Sequence, residues 1–283
     1  MSRMNDTPII TLTTDFGLAD AYVGAMKGVM LDIAPDARLV DVTHQIASQD
    51  VQETAYVLYT VYRFFPSDTV HLVVVDPGVG SARRPIAART PCGSFVGPDN
   101  GVFSYVMAEQ PVGAVVELAN PRYRRAQISQ TFHGRDIFAP AAAHLATGIP
   151  IHQLGPSVSD PVTLPLPRLR VSPGIVNGDV LHIDHFGNVV TSIGRLVWEA
   201  EMLMLEPAFR RTGAPQASFR ADEASVIAAG REIQGVHRTY AEVEPGGTLA
   251  LVGSTGHLEI AMREGSGATA LGLQVGDPVE LRW

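Results

Sequence analysis

Two rhythms of apolar residues alternate along the first half of the chain. PIITLTTD (8–15), ARLVDVT (37–43) and TVHLVVVD (69–76), rich in β-branched residues, read as strands, and the segments between them carry apolar side chains at helical spacing. Tyr22, Val23, Met26, Val29, Met30 and Ile33 define the first helix face, and Asp50 opens the second helix, DVQETAYVLYTVYRFF, near the expected N-cap. Alternation of this kind predicts an α/β domain with a mainly parallel, Rossmann-like sheet. PIAART and GSFVGPDNGVF then read as short, turn-rich pieces, followed by a helix near 102–109, a strand over GAVVELAN and a helix from about 134 to 147. Ligands of open parallel sheets bind beyond the carboxyl ends of the strands, where Asp15 and Asp76 are both expected.

The rhythm changes past a proline-rich stretch from about 156 to 174, which suits a linker. Beyond it GIVNGDVLHIDHFGNVVTSI, SVIAAGREIQGV, GGTLALVGSTGHLEIAM and GDPVELRW are short alternating runs separated by Gly and Asp turns. This pattern predicts a smaller all-β domain, a barrel or a sandwich.

Composition narrows the partners. Of 283 residues 46% are hydrophobic and 18% charged, yet no apolar run approaches the roughly 18 to 20 residues of a membrane helix, so no membrane partner is expected. A net charge of −8 disfavours nucleic acid, and Arg122, Arg124 and Arg125 read as a solvated surface. The start, MSRMNDTP, lacks the apolar core of a secretory signal, and the single cysteine, Cys92, has no partner within the chain for a disulfide. Both favour a cytoplasmic protein.

Local patterns leave the chemistry open. In VVVDPGVGSARRP (73–85) Gly78 and Gly80 suggest a phosphate loop, but the Gly-Lys-Ser/Thr ending that serves phosphate and Mg²⁺ is missing. Asp76 as a turn cap and Arg83 as surface charge explain the stretch equally well. His133 in TFHGRDIFAP stands before a predicted helix, as a general base, an orienting donor or a packed cap, with Arg135 and Asp136 at the helix start. His182 and His185 lack a third metal ligand nearby, so no metal is expected. Asp15 at a strand end is placed to accept from paired sugar hydroxyls, and Asp20 suits either the same site or a helix N-cap. In DHFGN, Phe186 and Asn188 set a ring beside an amide, suited to stacking on a base and bonding its edge, or to an ordinary β-turn.

Taken together, TTDFGLADAYVGAMKG, DVTHQI, DPGVGSARRP, GPDNGVF, TFHGRDIFAP, DHFGN and GSTGHLEIA, in this order from residue 9 to the C-terminus, resemble a known family. They are similar to the S-adenosyl-L-methionine (SAM) hydroxide adenosyltransferases, adenosyl-forming SAM hydrolases related to fluorinase and chlorinase. The resemblance implies attack of water on C5′ of SAM, giving adenosine and L-methionine, with SAM as substrate and no cofactor or metal. It implies an α/β SAM-binding catalytic domain over 1–165 and a β-barrel-like domain over 166–283 that contributes the adenine and methionine sites. It also implies a homotrimer holding substrate between neighbouring subunits. Carried over by position, the residues handling water are Asp76, Arg83 and His133. Asp15 binds ribose; Phe132 and Gly134 line the sugar; Phe186, Asn188 and the backbone near Met262 serve adenine. Asp20, Asp184 and Ser254 serve the methionine end, and Glu259 falls in the same neighbourhood without an assigned role. Thr255 stands where fluorinase has an arginine near the methionine carboxylate. Halogenase activity is the alternative within the superfamily, and a non-catalytic nucleoside or SAM binder the alternative outside it. An acid at position 76 should repel a halide.

Overall fold

The computed structural model describes residues 7–209 and 216–283, and its contacts divide the chain into one unit ending at Leu164 and another beginning at Pro165. Among the described residues no helix is long and apolar enough to cross a membrane.

The first unit is built on six strands, β1 (Ile9–Thr14), β2 (Arg38–Thr43), β3 (Val70–Val74), β4 (Pro85–Thr90), β5 (Gly93–Pro98) and β6 (Ala114–Glu117), in the order β2-β1-β3-β5-β4-β6. The predicted strands and helices form, with α1 over Tyr22–Ile33, α2 over Val51–Val61, α3 over Ser104–Glu109 and α4 over Ala139–Ala146. Asp50 caps α2, accepting from Glu53 N at 2.7 Å. The sheet is mixed: β2, β1, β3 and β5 run parallel, while β4 is antiparallel to both β5 and β6. Residues expected to be turn-rich connections, PIAART and GSFVGP, are the β4–β5 hairpin that makes it so. β5 is buried along its whole length, so its sequence shows none of the alternation that marks a half-exposed strand.

Side-chain alternation along β3 sorts the core. Val70, Leu72 and Val74 pack with Met26 and Met30 of α1 and Ala139, Ala142 and Ala143 of α4. His71 points the other way and stacks on Phe95 at 4.9 Å, with its Nδ1 2.9 Å from Thr11 Oγ1. Burial pulls His71 down to about 4, so it is neutral at ordinary pH. Arg84 binds Asp99 and Asp160, tying the start of β4 to the loop at 160.

The second unit is nearly all β: β7 (Leu169–Ser172), β8 (Ile175–Ile183), β9 (Val189–Gly194), β10 (Leu196–Glu199), β11 (Met202–Leu205), β12 (Ala217–Arg220), β13 (Ser225–Ala228), β14 (Arg231–Gln234), β15 (Thr248–Val252), β16 (His257–Met262) and β17 (Pro278–Arg282). The main sheet runs β14-β13-β17-β8-β9-β16-β15 with every pairing antiparallel, and β7, inside the predicted linker, adds to β8. His237, just past β14, bridges Leu251 of β15, so the two ends approach and the sheet is nearly a closed barrel. β10, β11 and β12 form a separate small sheet, and α5 (Gly267–Leu271) packs on β16.

Candidate active site

Parallel pairing sets the site in the first unit. Thr14 lies opposite Val74 in the β1–β3 register, so the chain leaves both strands at the same edge, and Asp15 and Asp76 line one cavity of about 310 Å³. The loop from Asp76 then turns back on itself. Gly80 has φ +75°, and a Cβ there would lie 2.6 Å from the Gln130 carbonyl oxygen, so only glycine lets the loop press on the segment leading to Phe132. Arg83 thereby returns to Asp76, donating from Nε to Oδ1 at 3.0 Å and from Nη2 to Oδ2, with both side chains nearly buried. Its Nη2 also lies 3.0 Å from His133 Nδ1.

That last contact fixes a tautomer. A guanidinium has only donors, so Nδ1 of His133 accepts and a neutral ring carries its proton on Nε2. Burial, and then the Arg83 charge, hold His133 below the ordinary imidazole value of 6.5, against weaker upward pulls from Asp76 and Asp136. Arg83 Cζ sits 5.2 Å from the Phe138 ring centre, and its Nη1 is buried without a partner among the described residues. His133 and Gly134 enter α4 through one turn of π-helix, Gly134–Phe138, the kind of local widening that recurs at functional sites.

Phe132, from the same segment, packs edge-on against Phe16 at 6.0 Å and Tyr22 at 5.2 Å, and all three line the cavity. A Cβ on Gly134 would press on Met26 Sδ at 3.1 Å and Val74 Cγ1 at 3.3 Å, so the residue is small because the wall is tight. Asp15 Oδ2 accepts from Gln49 N at 2.9 Å, and Gln49 adopts a left-handed φ of 67°. His44 of DVTHQI pins the Asp15 turn from both sides: Nδ1 is 2.9 Å from Thr14 Oγ1, and its carbonyl takes Gly17 N at 2.7 Å. Asp20 is exposed and does not line this cavity. Nor is it a helix cap, because the N-cap of α1 is Ala21, with no side-chain cap bond.

In the second unit the DHFGN turn is held by its own acid. Asp184 Oδ1 accepts from Phe186 N at 2.9 Å and Asn188 N at 2.8 Å, while Oδ2 accepts from the Asn188 side-chain amide at 2.9 Å. The result is a buried Asn188 two residues after a Phe186 ring that is 74% exposed. Gly187, at φ +83°, lies against Ser266 and leaves no room for a side chain. Ser254 is exposed in the turn joining β15 to β16, and the Met262 carbonyl at the end of β16 accepts from Gly265 N at 3.3 Å. Glu259 is buried on β16 and accepts from Tyr240 Oη at 2.6 Å. Burial pushes its carboxyl up, the Tyr240 bond lowers it in part, and the Asp184 charge raises it again.

Several of these neighbours escape a reading of the sequence. Tyr22 fits the helical spacing of a core position yet is 48% exposed at the cavity. Phe16, Ser48 and Gln49 carry no local signal of their own, although Gln49 immediately precedes the Asp50 cap. Tyr240 sits in a short 3₁₀ turn with no periodic pattern to mark it. Arg125, expected to be solvated, lies 3.3 Å from the buried Asp136. Among the described residues no group of three or more His, Cys, Asp or Glu is placed to hold a metal ion.

Comparison with known proteins agrees with these two units. Residues 10–155 match the SAM hydroxide adenosyltransferase N-terminal domain and residues 178–280 its C-terminal domain. The chain belongs to the SAM hydroxide adenosyltransferase family. It is 42% identical to the (R)-S-adenosyl-L-methionine hydrolase of Salinispora tropica, with 97% of each chain covered. It is 40% identical to the protein of that name from Thermus thermophilus, covering 95% of this chain and 97% of the other. A fluorinase from an Actinoplanes species is 32% identical over 68% of this chain and 73% of its own. The crystal structure of an uncharacterized conserved protein from Thermotoga maritima superposes with a TM-score of 0.84 at 35% identity, over 97% of this chain and all of the other.

Proposed function

We propose that this protein hydrolyses SAM by attack of water at C5′, releasing adenosine and L-methionine. The observation that carries the reading is the Asp76–Arg83–His133 network at the edge of a cavity that Asp15 and the rings of Phe16, Tyr22 and Phe132 also line. The relatives of about 40% identity named as SAM hydrolases support it over most of the chain.

The chemistry asks little of an acid catalyst. The sulfonium departs as a neutral thioether, so no charge on the leaving group has to be neutralised. What the protein must supply is a water held in line with the C5′–S bond, an alignment that is worth on the order of 7 to 11 kcal/mol when complete. Asp76, fixed by two bonds from Arg83, accepts a hydrogen bond from that water and takes the proton it sheds as the C5′–O bond forms and the C5′–S bond breaks. His133 keeps Nδ1 engaged with Arg83 and offers Nε2–H as a donor, which makes it an orienting group rather than the base in this arrangement. Asp15 accepts from the ribose hydroxyls, with Oδ2 already oriented by Gln49 N. Phe132 and Gly134 bound the sugar, and Phe186, Asn188 and the backbone at Met262 receive adenine. Ser254 and Asp20 serve the methionine end, and Glu259 is left without an assigned role. Asp184 acts mainly by shaping the DHFGN turn, because its oxygens already accept three bonds.

The resemblance also supports a homotrimer with substrate between neighbouring subunits, for which the exposed Phe186 ring is a suitable contact. Light scattering of the purified protein checks the trimer. A cytoplasmic setting, with SAM as the small-molecule partner, belongs to the same proposal. The halogenase alternative is disfavoured by the Asp76 carboxylate and by the lower identity and coverage of the fluorinase. Incubation with SAM should release adenosine and methionine in equal amounts with no halide present. Release only with added chloride or fluoride, or no release, would overturn the proposal.

A further inference from the structure

The TFHGRDIFAP motif gives Phe132, His133 and Gly134 to the cavity and then continues into Arg135 and Asp136, which the reaction above leaves unused. Neither belongs to the lining, yet Asp136 is a fully buried carboxylate. It grips Arg135 in a paired geometry, accepting from Nε at 2.7 Å and from Nη2 at 2.8 Å. It also accepts Ser129 N at 2.9 Å, and its own backbone carbonyl takes Arg125 N at 2.9 Å. Two points of the segment that leads to the cavity, Arg125 and Ser129, are thus fastened to one residue. The segment includes Gln130, against whose carbonyl Gly80 is packed.

Held this way, the Arg135 guanidinium lies 5.0 Å from the centre of the Phe132 ring. A cation over a ring face is attractive, and a guanidinium locked by a carboxylate keeps that position at little cost in side-chain freedom. The ring is otherwise bounded by the edges of Phe16 and Tyr22. We propose that Arg135 and Asp136 are positioning residues: Asp136 locks Arg135 over Phe132, and this brace fixes the ring as the wall against which the sugar of SAM is aligned. The effect on turnover rests on the hydrolase reading above; the effect on the ring does not.

A double-mutant cycle tests the brace. kcat/KM for adenosine release from SAM is measured for the wild type, Arg135→Met, Phe132→Leu and the double variant, with the melting temperature of each. Arg135→Met keeps an apolar stem on the ring and removes the charge. It should lower kcat/KM by roughly five- to tenfold when Phe132 is present and by less than about twofold when it is Leu. Asp136→Asn should reproduce part of the loss, and Arg135→Lys, which keeps charge but not the paired geometry, should fall between. If Arg135→Met folds poorly, Arg135→Lys takes its place in the cycle. An equal effect in both backgrounds, or a lowered melting temperature with unchanged kcat/KM, would show a merely structural pair and overturn the proposal.

A second readout needs no ligand. With 4-fluorophenylalanine at position 132, the ¹⁹F signal should shift and broaden in Arg135→Met; an unchanged signal overturns the brace whether or not SAM is turned over. A wild type that releases no adenosine, with a ¹⁹F signal that responds, would sink the hydrolase reading alone.

Discussion

The two units treat their polar groups in opposite ways. In the first, Asp76, Arg83 and His133 satisfy one another across a cavity edge and leave Arg83 Nη1 buried with no partner among the described residues. In the second, the Asp184 acceptors are used inside one turn that buries the Asn188 amide and leaves the Phe186 ring exposed. A preorganised charged network suits chemistry, because its dipoles need not reorganise when charge moves. A self-satisfied turn presenting a flat apolar face suits recognition of a base. On the proposed function, the contrast places the water-handling groups in the first unit and the adenine contacts in the second.

The largest expected effect breaks that assignment most directly. Asp76→Ala should lower kcat by about 10³-fold or more while SAM binding, measured by calorimetry, changes little; a parallel loss of binding would return Asp76 to the role of a structural partner for Arg83. Acid should also separate the units. His71 is neutral when folded, with its value lowered to about 4 from 6.5, so the unfolded chain binds the extra proton between these values. The contribution of His71 to stability is therefore fully present above about pH 6.5 and is lost as pH falls through 4, by up to about 3 kcal/mol. Hydrogen exchange should show β1 and β3 losing protection on acidification, and His71→Asn should flatten that dependence.

Smaller effects refine the second unit. Phe186→Ala should raise KM by about tenfold and leave kcat nearly unchanged, since a stacked ring is worth about 1 to 3 kcal/mol. Steady-state kinetics would reverse the assignment if kcat fell instead. The smallest effect is on the pH profile. Protonation of His133 removes the lone pair that accepts from Arg83, and burial holds that event below 6.5, so kcat should be flat above this value and decline only on the acid side. A decline beginning above pH 7 would contradict the tautomer derived from the contact.

Much of the frame can be read in the sequence where one physical signal dominates. β1 and β3 are rich in β-branched residues and read as strands, and Asp50 caps α2 as its position suggests. The hairpin of β4 and β5 is not legible, because a strand covered on both faces loses its alternation and its Pro and Gly residues imitate turns. β7 is hidden for another reason: it is a four-residue edge strand inside proline-rich chain that reads as a linker. Asp76, Arg83 and His133 were expected at one place, and they meet through a fold detail no local pattern contains, the press of Gly80 on Gln130. Tyr22 illustrates the converse: helical spacing marks it as core, and only its place at the first turn of α1 turns it toward the cavity. Asp136 reads as a helix-start acid, and its burial among Arg135, Ser129 and Arg125 depends on how the preceding loop folds back, which no periodic pattern records.

The central claim is that water attacks C5′ of SAM at the Asp76–Arg83–His133 network. Purified protein incubated with SAM in ¹⁸O-labelled water, followed by mass analysis of the products, tests it most directly. The label should enter the adenosine 5′-hydroxyl and be absent from methionine. Unlabelled adenosine, or label in an amino-acid product instead, would contradict it.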